Sequence, residues 1–80
     1  MFTVYALQSL NFNFIYVGMT ENLNDRLLRH NNGRVKSTKR FAPFRLLHSE
    51  IHPDGISARN REIFLKSTSG KRFLKSIIID

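Results

Sequence analysis

The sequence contains no cysteine, only six acidic residues and no long apolar run. Without cysteine, neither disulfides nor a thiolate zinc site can support the fold, which fits a reducing cytosol. No apolar stretch approaches the roughly 20 residues that span a bilayer, and the chain starts with alternating residues instead of the basic and apolar regions of a signal peptide. We therefore expect a cytoplasmic protein without a membrane partner.

Positive charge dominates the composition. Thirteen lysines and arginines outnumber the six acids, which leaves a formal net charge of +7 on 80 residues. Such a charge on a short chain is typical of nucleic-acid binders, although a basic protein without a polyanionic partner would share it. The hydrophobic fraction of 41% includes seven phenylalanines and is enough for one small core. We expect residues 1–80 to form a single domain.

The first two elements are predicted to be strands. Residues 2–7 alternate between two faces, and residues 14–18 form a second short apolar run, so both segments are typical of β-structure. A hairpin turn near residues 10–11 would set Tyr5 opposite Tyr16. The two phenols would then share one face of the sheet.

Apolar periodicity, caps and breakers predict four further elements. They are a helix over 22–30 that follows the cap-forming residues 20–22, a strand over 44–51, a helix that is capped by Asp54 or Ser57 and runs to about 67, and a helix over 71–78. Gly33 is expected to stop the first helix and Gly70 the second. The order β-β-α-β-α-α predicts an α+β fold, in which helices flank a small three-stranded, mostly antiparallel sheet.

The first helix carries two candidate site residues. At about 100° per residue, Arg26 and His30 lie at the border of the buried stripe, whereas Asp25 and Arg29 lie on the far side. Two nitrogen-rich groups one turn apart, facing the sheet after a tyrosine-bearing strand, indicate the wall of a site.

Glu62 is the candidate acid. On the second helix its carboxylate falls within the apolar stripe, where a charged group needs a partner. A lone inward carboxylate in a basic protein is either paired with an arginine, for example Arg59, or holds a metal. Helical periodicity leaves both interpretations open.

Residues 33–45 carry five cations and no acid: Arg34, Lys36, Lys39, Arg40 and Arg45. This basic segment, residues 33–45, either is a run of solvated charges or binds the backbone of a nucleic acid. No position is typical of base reading, so we expect no sequence specificity. Phe12, Phe41 and Phe44 are expected to be exposed, where they would form a homodimer surface or stack on bases.

Taken in order, five features resemble the GIY-YIG nuclease superfamily, and in particular its small single-domain bacterial proteins of the YhbQ type: Val4-Tyr5, Tyr16-Val17-Gly18, Arg26, His30 and Arg61-Glu62. The resemblance covers nearly the whole chain. The family is named for two tripeptides, Gly-Ile-Tyr and Tyr-Ile-Gly. In this sequence Thr3 and Val4 replace the glycine and isoleucine of the first tripeptide, and Val17 replaces the isoleucine of the second. Many members carry a late polar residue, often Asn, for which Lys66 and Lys71 are the candidate substitutes here.

The resemblance implies a divalent-metal-dependent endonuclease that hydrolyses phosphodiester bonds in DNA, in repair or recombination. In this interpretation Tyr5 is the general base, Tyr16 positions water or phosphate, and Arg26 clamps a phosphate oxygen. Glu62 would hold Mg²⁺ or Mn²⁺. His30 would take the proton, or hydrogen-bond a tyrosine or the phosphate.

Two other functions share the same basic surface. One is a non-catalytic nucleic-acid-binding module on the same fold, and the other is a small RNA-binding or ribosome-binding protein. The positive charge does not distinguish these two functions from the nuclease, because all three require binding to phosphates. Loss of Mg²⁺-dependent nicking on Glu62→Ala would identify the nuclease.

Overall fold

A three-stranded antiparallel sheet forms the centre of the fold. In the computed structural model, which describes residues 1–78, β1 spans Phe2–Ser9, β2 spans Ile15–Thr20 and β3 spans Phe44–His52. The strand order is β2-β1-β3, so β2 and β3 are the two edges. The predicted α+β class and the order β-β-α-β-α-α are confirmed.

The hairpin register differs from the prediction. Tyr5 pairs with Gly18, and Tyr16 pairs with Leu7, so the predicted pairing of Tyr5 with Tyr16 is wrong by two residues. The loop is longer than expected, because the Ser9 hydroxyl accepts hydrogen bonds from backbone N–H groups inside it. A shift of two residues preserves the alternation of side chains, so both phenols still lie on one face.

The two faces of the sheet bury different side chains. One face packs against the second and third helices and buries Val4, Ala6, Val17, Ala58, Leu65 and Leu74. The opposite face packs against the first helix and buries Tyr5, Leu7 and Phe44. Phe44 is only 5% exposed. The expectation that Phe44 is a surface aromatic is therefore wrong, because β3 turns this side chain toward Leu7.

The first two helices begin at the predicted caps. Helix α1 spans Leu23–Asn31, and its cap Asn22 accepts a hydrogen bond from the Asp25 N–H at 3.1 Å. Gly33 has a φ of 71°, the left-handed conformation expected after a helix end. Helix α2 spans Gly55–Lys66, and its cap is Asp54, which accepts from the Ser57 N–H at 2.8 Å.

Helix α3 begins earlier than predicted, at Thr68, and ends at Ser76. Gly70 therefore lies inside α3 and does not terminate α2, which ends before Ser67. A Cβ on Gly70 would lie 2.1 Å from the carbonyl oxygen of Phe64 and 2.4 Å from the Cα of Leu65. The glycine thus allows α3 to pack directly on the end of α2. No helix within residues 1–78 combines the length and apolar character needed to cross a bilayer.

Candidate active site

A chain of hydrogen bonds links three buried side chains on the Tyr5 face of the sheet. The Tyr5 hydroxyl lies 3.0 Å from Nε2 of His30, and Nδ1 of His30 lies 2.8 Å from Oγ1 of Thr38. All three side chains are almost completely buried. They come from β1, from the end of α1 and from the basic segment that follows α1, so three separate parts of the chain meet here.

The direction of these hydrogen bonds follows from the contacts of the Thr38 hydroxyl. The Thr38 hydroxyl donates to the backbone carbonyl of Val35 at 3.4 Å, so its oxygen is free to accept the hydrogen bond from Nδ1 of His30. Nε2 then carries the lone pair and accepts from the Tyr5 hydroxyl, a tautomer that we assign from the hydrogen-bond network. The arrangement can pass a proton from Tyr5 to His30.

The charges and the burial around these side chains favour a hydrogen bond donated by Tyr5 to His30. Burial lowers the pKa of His30, and the positive charges of Arg26 and Arg29 lower it further. His30 is therefore held as neutral imidazole near pH 7. Burial also raises the pKa of the Tyr5 hydroxyl above its ordinary value. A resting phenolate is thus disfavoured, and Tyr5 can act as a base only by giving its own proton to a neighbour.

Tyr16 packs beside this chain and is only partly buried. Its ring centroid lies 6.2 Å from that of Tyr5 and 4.9 Å from that of His30. Both phenols lie over Gly18, where an added Cβ would be 2.8 Å from the Tyr5 hydroxyl oxygen and 2.9 Å from the Tyr16 ring. Glycine at this position leaves room for the two rings to meet. Tyr16 is the more exposed of the two phenols.

Arg26 and Glu62 act on the same hydroxyl from different helices. The Arg26 guanidinium on α1 lowers the pKa of Tyr5 and the Glu62 carboxylate on α2 raises it, although burial and the neighbouring Tyr16 have larger effects. Both charges are therefore within electrostatic reach of Tyr5. The other four candidate residues predicted from the sequence thus all act on Tyr5, His30 through a hydrogen bond and Tyr16, Arg26 and Glu62 through their effects on its pKa.

Glu62 is held by cations of its own helix. One oxygen lies 3.2 Å from the Lys66 ammonium and the other 3.9 Å from Nε of Arg59, while the residue is 9% exposed. Among residues 1–78, no group of three or more His, Asp or Glu side chains is arranged to hold a metal ion. Mg²⁺ commonly binds through one or two carboxylates and completes its shell with water and phosphate oxygens. A single, slightly exposed carboxylate fits that mode of binding.

Comparison with known proteins supports the resemblance drawn from the motifs. A family model described as the GIY-YIG catalytic domain matches residues 1–75. The chain belongs to the GIY-YIG family. This family is one of nucleases, and the match extends over all three strands and most of α3.

Small bacterial proteins resemble this GIY-YIG chain over most of its length. UPF0213 proteins of Staphylococcus epidermidis and Clostridium perfringens are each 33% identical to it over 64 residues. The matches cover 79% of the chain, and 78% and 69% of the two relatives. The solution NMR structure of a UPF0213 protein from Bacillus halodurans is 30% identical, with a TM-score of 0.57, and covers 96% of this chain and 85% of that one.

The basic segment of the GIY-YIG chain is anchored at its buried residues and exposed at its cations. Thr38 contacts His30, and the Ser9 hydroxyl donates to the Phe41 carbonyl at 2.7 Å. The five predicted phosphate-binding residues are all exposed: Arg34, Lys36, Lys39, Arg40 and Arg45. Arg45 belongs to β3, where its Nε donates to Gln8 at 2.7 Å. The cations are accessible to a polyanion, and their role in binding it stays a prediction.

Two features of the site were missed by sequence reasoning. Thr38 lies in a non-periodic segment that suggested only a charge run, and no local pattern marks it as the partner of His30. Lys66 follows Glu62 by four residues, the spacing of an ion pair on a helix. The ion pair between Lys66 and Glu62 could therefore have been predicted from the sequence. The resemblance named Lys66 only as a substitute for a late polar residue.

Proposed function

We propose that this GIY-YIG protein is a divalent-metal-dependent endonuclease that hydrolyses phosphodiester bonds in DNA, with repair or recombination as its setting. The observation that carries the proposal is the environment of the Tyr5 hydroxyl. This hydroxyl donates a hydrogen bond to the neutral, buried imidazole of His30, and its pKa is affected by the charges of Arg26 and Glu62. A water nucleophile needs a proton acceptor, and a phosphodiester needs positive charge, at one place.

The proton of the attacking water passes through Tyr5 to His30. As the water oxygen bonds to phosphorus, its O–H bond breaks and the proton moves to the Tyr5 oxygen, while the original hydroxyl proton of Tyr5 moves to Nε2 of His30. The bond from phosphorus to the leaving oxygen breaks, and the leaving oxygen takes a proton from solvent. The imidazolium keeps its Nδ1–H bond to Thr38. This route avoids a free phenolate, which the raised pKa of Tyr5 disfavours.

Tyr16 and Arg26 position the substrate. Because Tyr5 is 1% exposed, water must approach from the side of the partly exposed Tyr16, whose hydroxyl would orient it. The planar donor group of Arg26 suits a non-bridging phosphate oxygen, since a guanidinium can donate two parallel hydrogen bonds.

Glu62 would hold Mg²⁺ or Mn²⁺, with the substrate's own oxygens in the same shell. When bound there, such an ion supplies positive charge for the leaving oxygen and for the transition state. Lys66 keeps a positive charge at 3.2 Å from the carboxylate, so it balances Glu62 before substrate and cation arrive.

The test is a cleavage panel of plasmid, single-stranded, flap and branched DNA with Mg²⁺ or Mn²⁺. We expect Glu62→Gln and Arg26→Ala each to lower the cleavage rate by about a hundredfold or more, while DNA binding by Glu62→Gln stays close to that of the wild type. Arg72→Ala is the control, because Arg72 is an exposed arginine on α3. Cleavage that survives both site variants would refute the proposed site.

One observation favours the alternative of a non-catalytic nucleic-acid-binding module. Glu62 already has two cationic partners, Lys66 and Arg59, so its carboxylate is satisfied without a metal. The same panel separates the two functions. A pure binder would bind DNA without Mg²⁺-dependent cleavage, and Glu62→Gln would change neither property.

A further inference from the structure

A groove runs along the outer edge of β2, next to the active site. It has a volume of about 500 Å³, and its lining includes Tyr16 from β2, Lys66 from α2 and Lys71, Leu74 and Lys75 from α3. A second depression of about 400 Å³ continues it past Lys75 and Phe12. We call this continuous feature the lysine groove.

The lysine groove combines a basic rim with an apolar floor. Three ammonium groups line it, and no Asp or Glu within residues 1–78 does so. Its floor comes from aliphatic and aromatic side chains, among them Leu74 and Val17. Phe12, at the far end, is 52% exposed. Cations that track a backbone beside aromatic rings on which bases stack are the elements of a single-strand binding surface.

The groove is continuous with the proposed catalytic residues. Tyr16 lines the groove and packs against His30, and Lys66 lines the groove while its ammonium lies 3.2 Å from Glu62. A strand lying in the groove would therefore lead directly to the phosphate held by the site. The basic segment packs on the Tyr5 face of the sheet, where its Phe41 ring stacks on Phe14 of the groove lining, with 4.0 Å between the ring centroids.

The size and lining of the groove distinguish between single and double strands. A volume of about 500 Å³ is in the range of about 300–1,000 Å³ that holds one small ligand. Such a space accepts one or two nucleotides, and the bases of a duplex, which are already stacked on one another, are not free to lie on its aromatic rings.

We propose that the lysine groove binds a single-stranded segment next to the scissile phosphate, with Lys71 and Lys75 on backbone phosphates and Tyr16 against a base. The inference rests on the proposed nuclease function and narrows its substrate to nucleic acids that contain a single-stranded segment, such as a flap, a gap or a free strand. The edge of β2 is then covered by the nucleic acid and not by a further strand of protein.

The test measures binding without cleavage. The anisotropy of a labelled oligothymidylate and of a blunt duplex of equal length is followed in EDTA at several salt concentrations, with wild type, Lys71→Gln, Lys75→Gln and the double variant. Arg72→Gln is the matched control, because Arg72 neighbours Lys71 on α3, is exposed and does not line the groove. All these positions are on the surface, so folding should be preserved.

We expect each lysine substitution to lower the slope of log K against log salt for the single strand by about 0.7, and the double variant by about twice that. Duplex binding and the Arg72→Gln variant should change little. If Lys71→Gln behaves like Arg72→Gln, or if duplex and single strand lose affinity equally, the groove does not bind a single strand and the inference is wrong.

The outcome is separable from that of the nuclease proposal. If wild type shows no Mg²⁺-dependent cleavage but binds single strands through Lys71 and Lys75, the nuclease proposal fails and the single-strand surface stands. If wild type cleaves DNA but its binding to the single strand is independent of both lysines, the nuclease stands and the groove proposal fails.

Discussion

At the residue scale, the Tyr5 hydroxyl is both the partner of a buried imidazole and the proposed base. Tyr5→Phe would leave Nε2 of His30 buried without a hydrogen bond, and an unsatisfied buried acceptor costs about 1–3 kcal/mol. We expect a loss of that size in the free energy of unfolding, measured by urea denaturation, together with a drop in cleavage of at least about a hundredfold.

Tyr16→Phe is the matched comparison for Tyr5→Phe. Because Tyr16 is partly exposed, its hydroxyl can exchange with water, so this variant should lose cleavage with a smaller change in stability. A Tyr5→Phe protein as stable as wild type would contradict the buried hydrogen bond to His30.

Glu50 is a second residue whose environment shifts its pKa. Its carboxylate accepts hydrogen bonds from His48 at 2.6 Å, from His52 at 3.1 Å and from Nε of Arg61 at 2.9 Å. Partial burial alone would raise the pKa of Glu50, but these hydrogen bonds outweigh it and lower the pKa to about 2. The cluster joins β3 to α2, away from the Tyr5 face.

This cluster predicts the acid sensitivity of the fold. Since the pKa of Glu50 is lower in the folded state than its ordinary value of 4.5, its contribution to stability is complete above about pH 5 and is lost as the pH falls toward 2. Its side chain is 22% exposed, so after allowance for solvent screening we expect about 2 kcal/mol.

The measurement for Glu50 is urea denaturation of wild type and Glu50→Gln from pH 7 to pH 3. The difference between them should be largest at pH 7 and shrink below pH 5, whereas Glu21→Gln, at an exposed position, should follow the wild type. A difference that stays constant over this range would mean that Glu50 does not titrate as proposed.

At the scale of elements, the junction of α2 and α3 depends on one position without a side chain. Gly70→Ala would place Cβ within 2.4 Å of backbone atoms of Phe64 and Leu65, and backbone in a helix cannot yield as a flexible side chain can. We expect a loss of stability at or above the about 1–3 kcal/mol typical of overpacking, seen as a lower midpoint of thermal unfolding.

Ser69→Ala is the control for Gly70→Ala, because Ser69 is exposed in the same turn of α3. It should unfold within about 4 °C of wild type, since exposed substitutions in helices change stability by about 0.5 kcal/mol or less. If Gly70→Ala melts with the control, α3 does not pack on α2 as closely as the structure has it.

At the scale of the whole molecule, eight of the thirteen lysines and arginines lie on two surfaces, five in the basic segment and three in the lysine groove. The basic segment should contact phosphates of either a duplex or a single strand. We expect Lys39→Gln and Arg40→Gln together to weaken binding to both substrates and to reduce the salt slope for a duplex by about 1.8.

The same anisotropy titrations measure this effect, with Arg72→Gln as the control that removes a charge outside both surfaces. The basic-segment variants and the groove variants should differ in selectivity, because only the groove needs bases that are free to stack on its aromatic rings. Unchanged salt slopes in the Lys39→Gln, Arg40→Gln variant would show that this segment is a solvated charge run.

The sequence by itself determined which elements form and which side chains face inward. Alternation with a period of two and helical periodicity are local properties, so the face of Tyr5 on β1, the inward positions of His30 and Glu62 and the helix cap at Asn22 could all be predicted before any contact was known. The family resemblance used the same inward residues in their order along the chain.

Only the tertiary structure decided how these elements meet. The hairpin register, the contact of Thr38 with His30, the burial of Phe44 and the close approach at Gly70 all depend on residues distant in sequence or on the path of irregular segments. Local propensity carries no information about such pairings, because they are selected by packing that exists only once the sheet and helices are assembled.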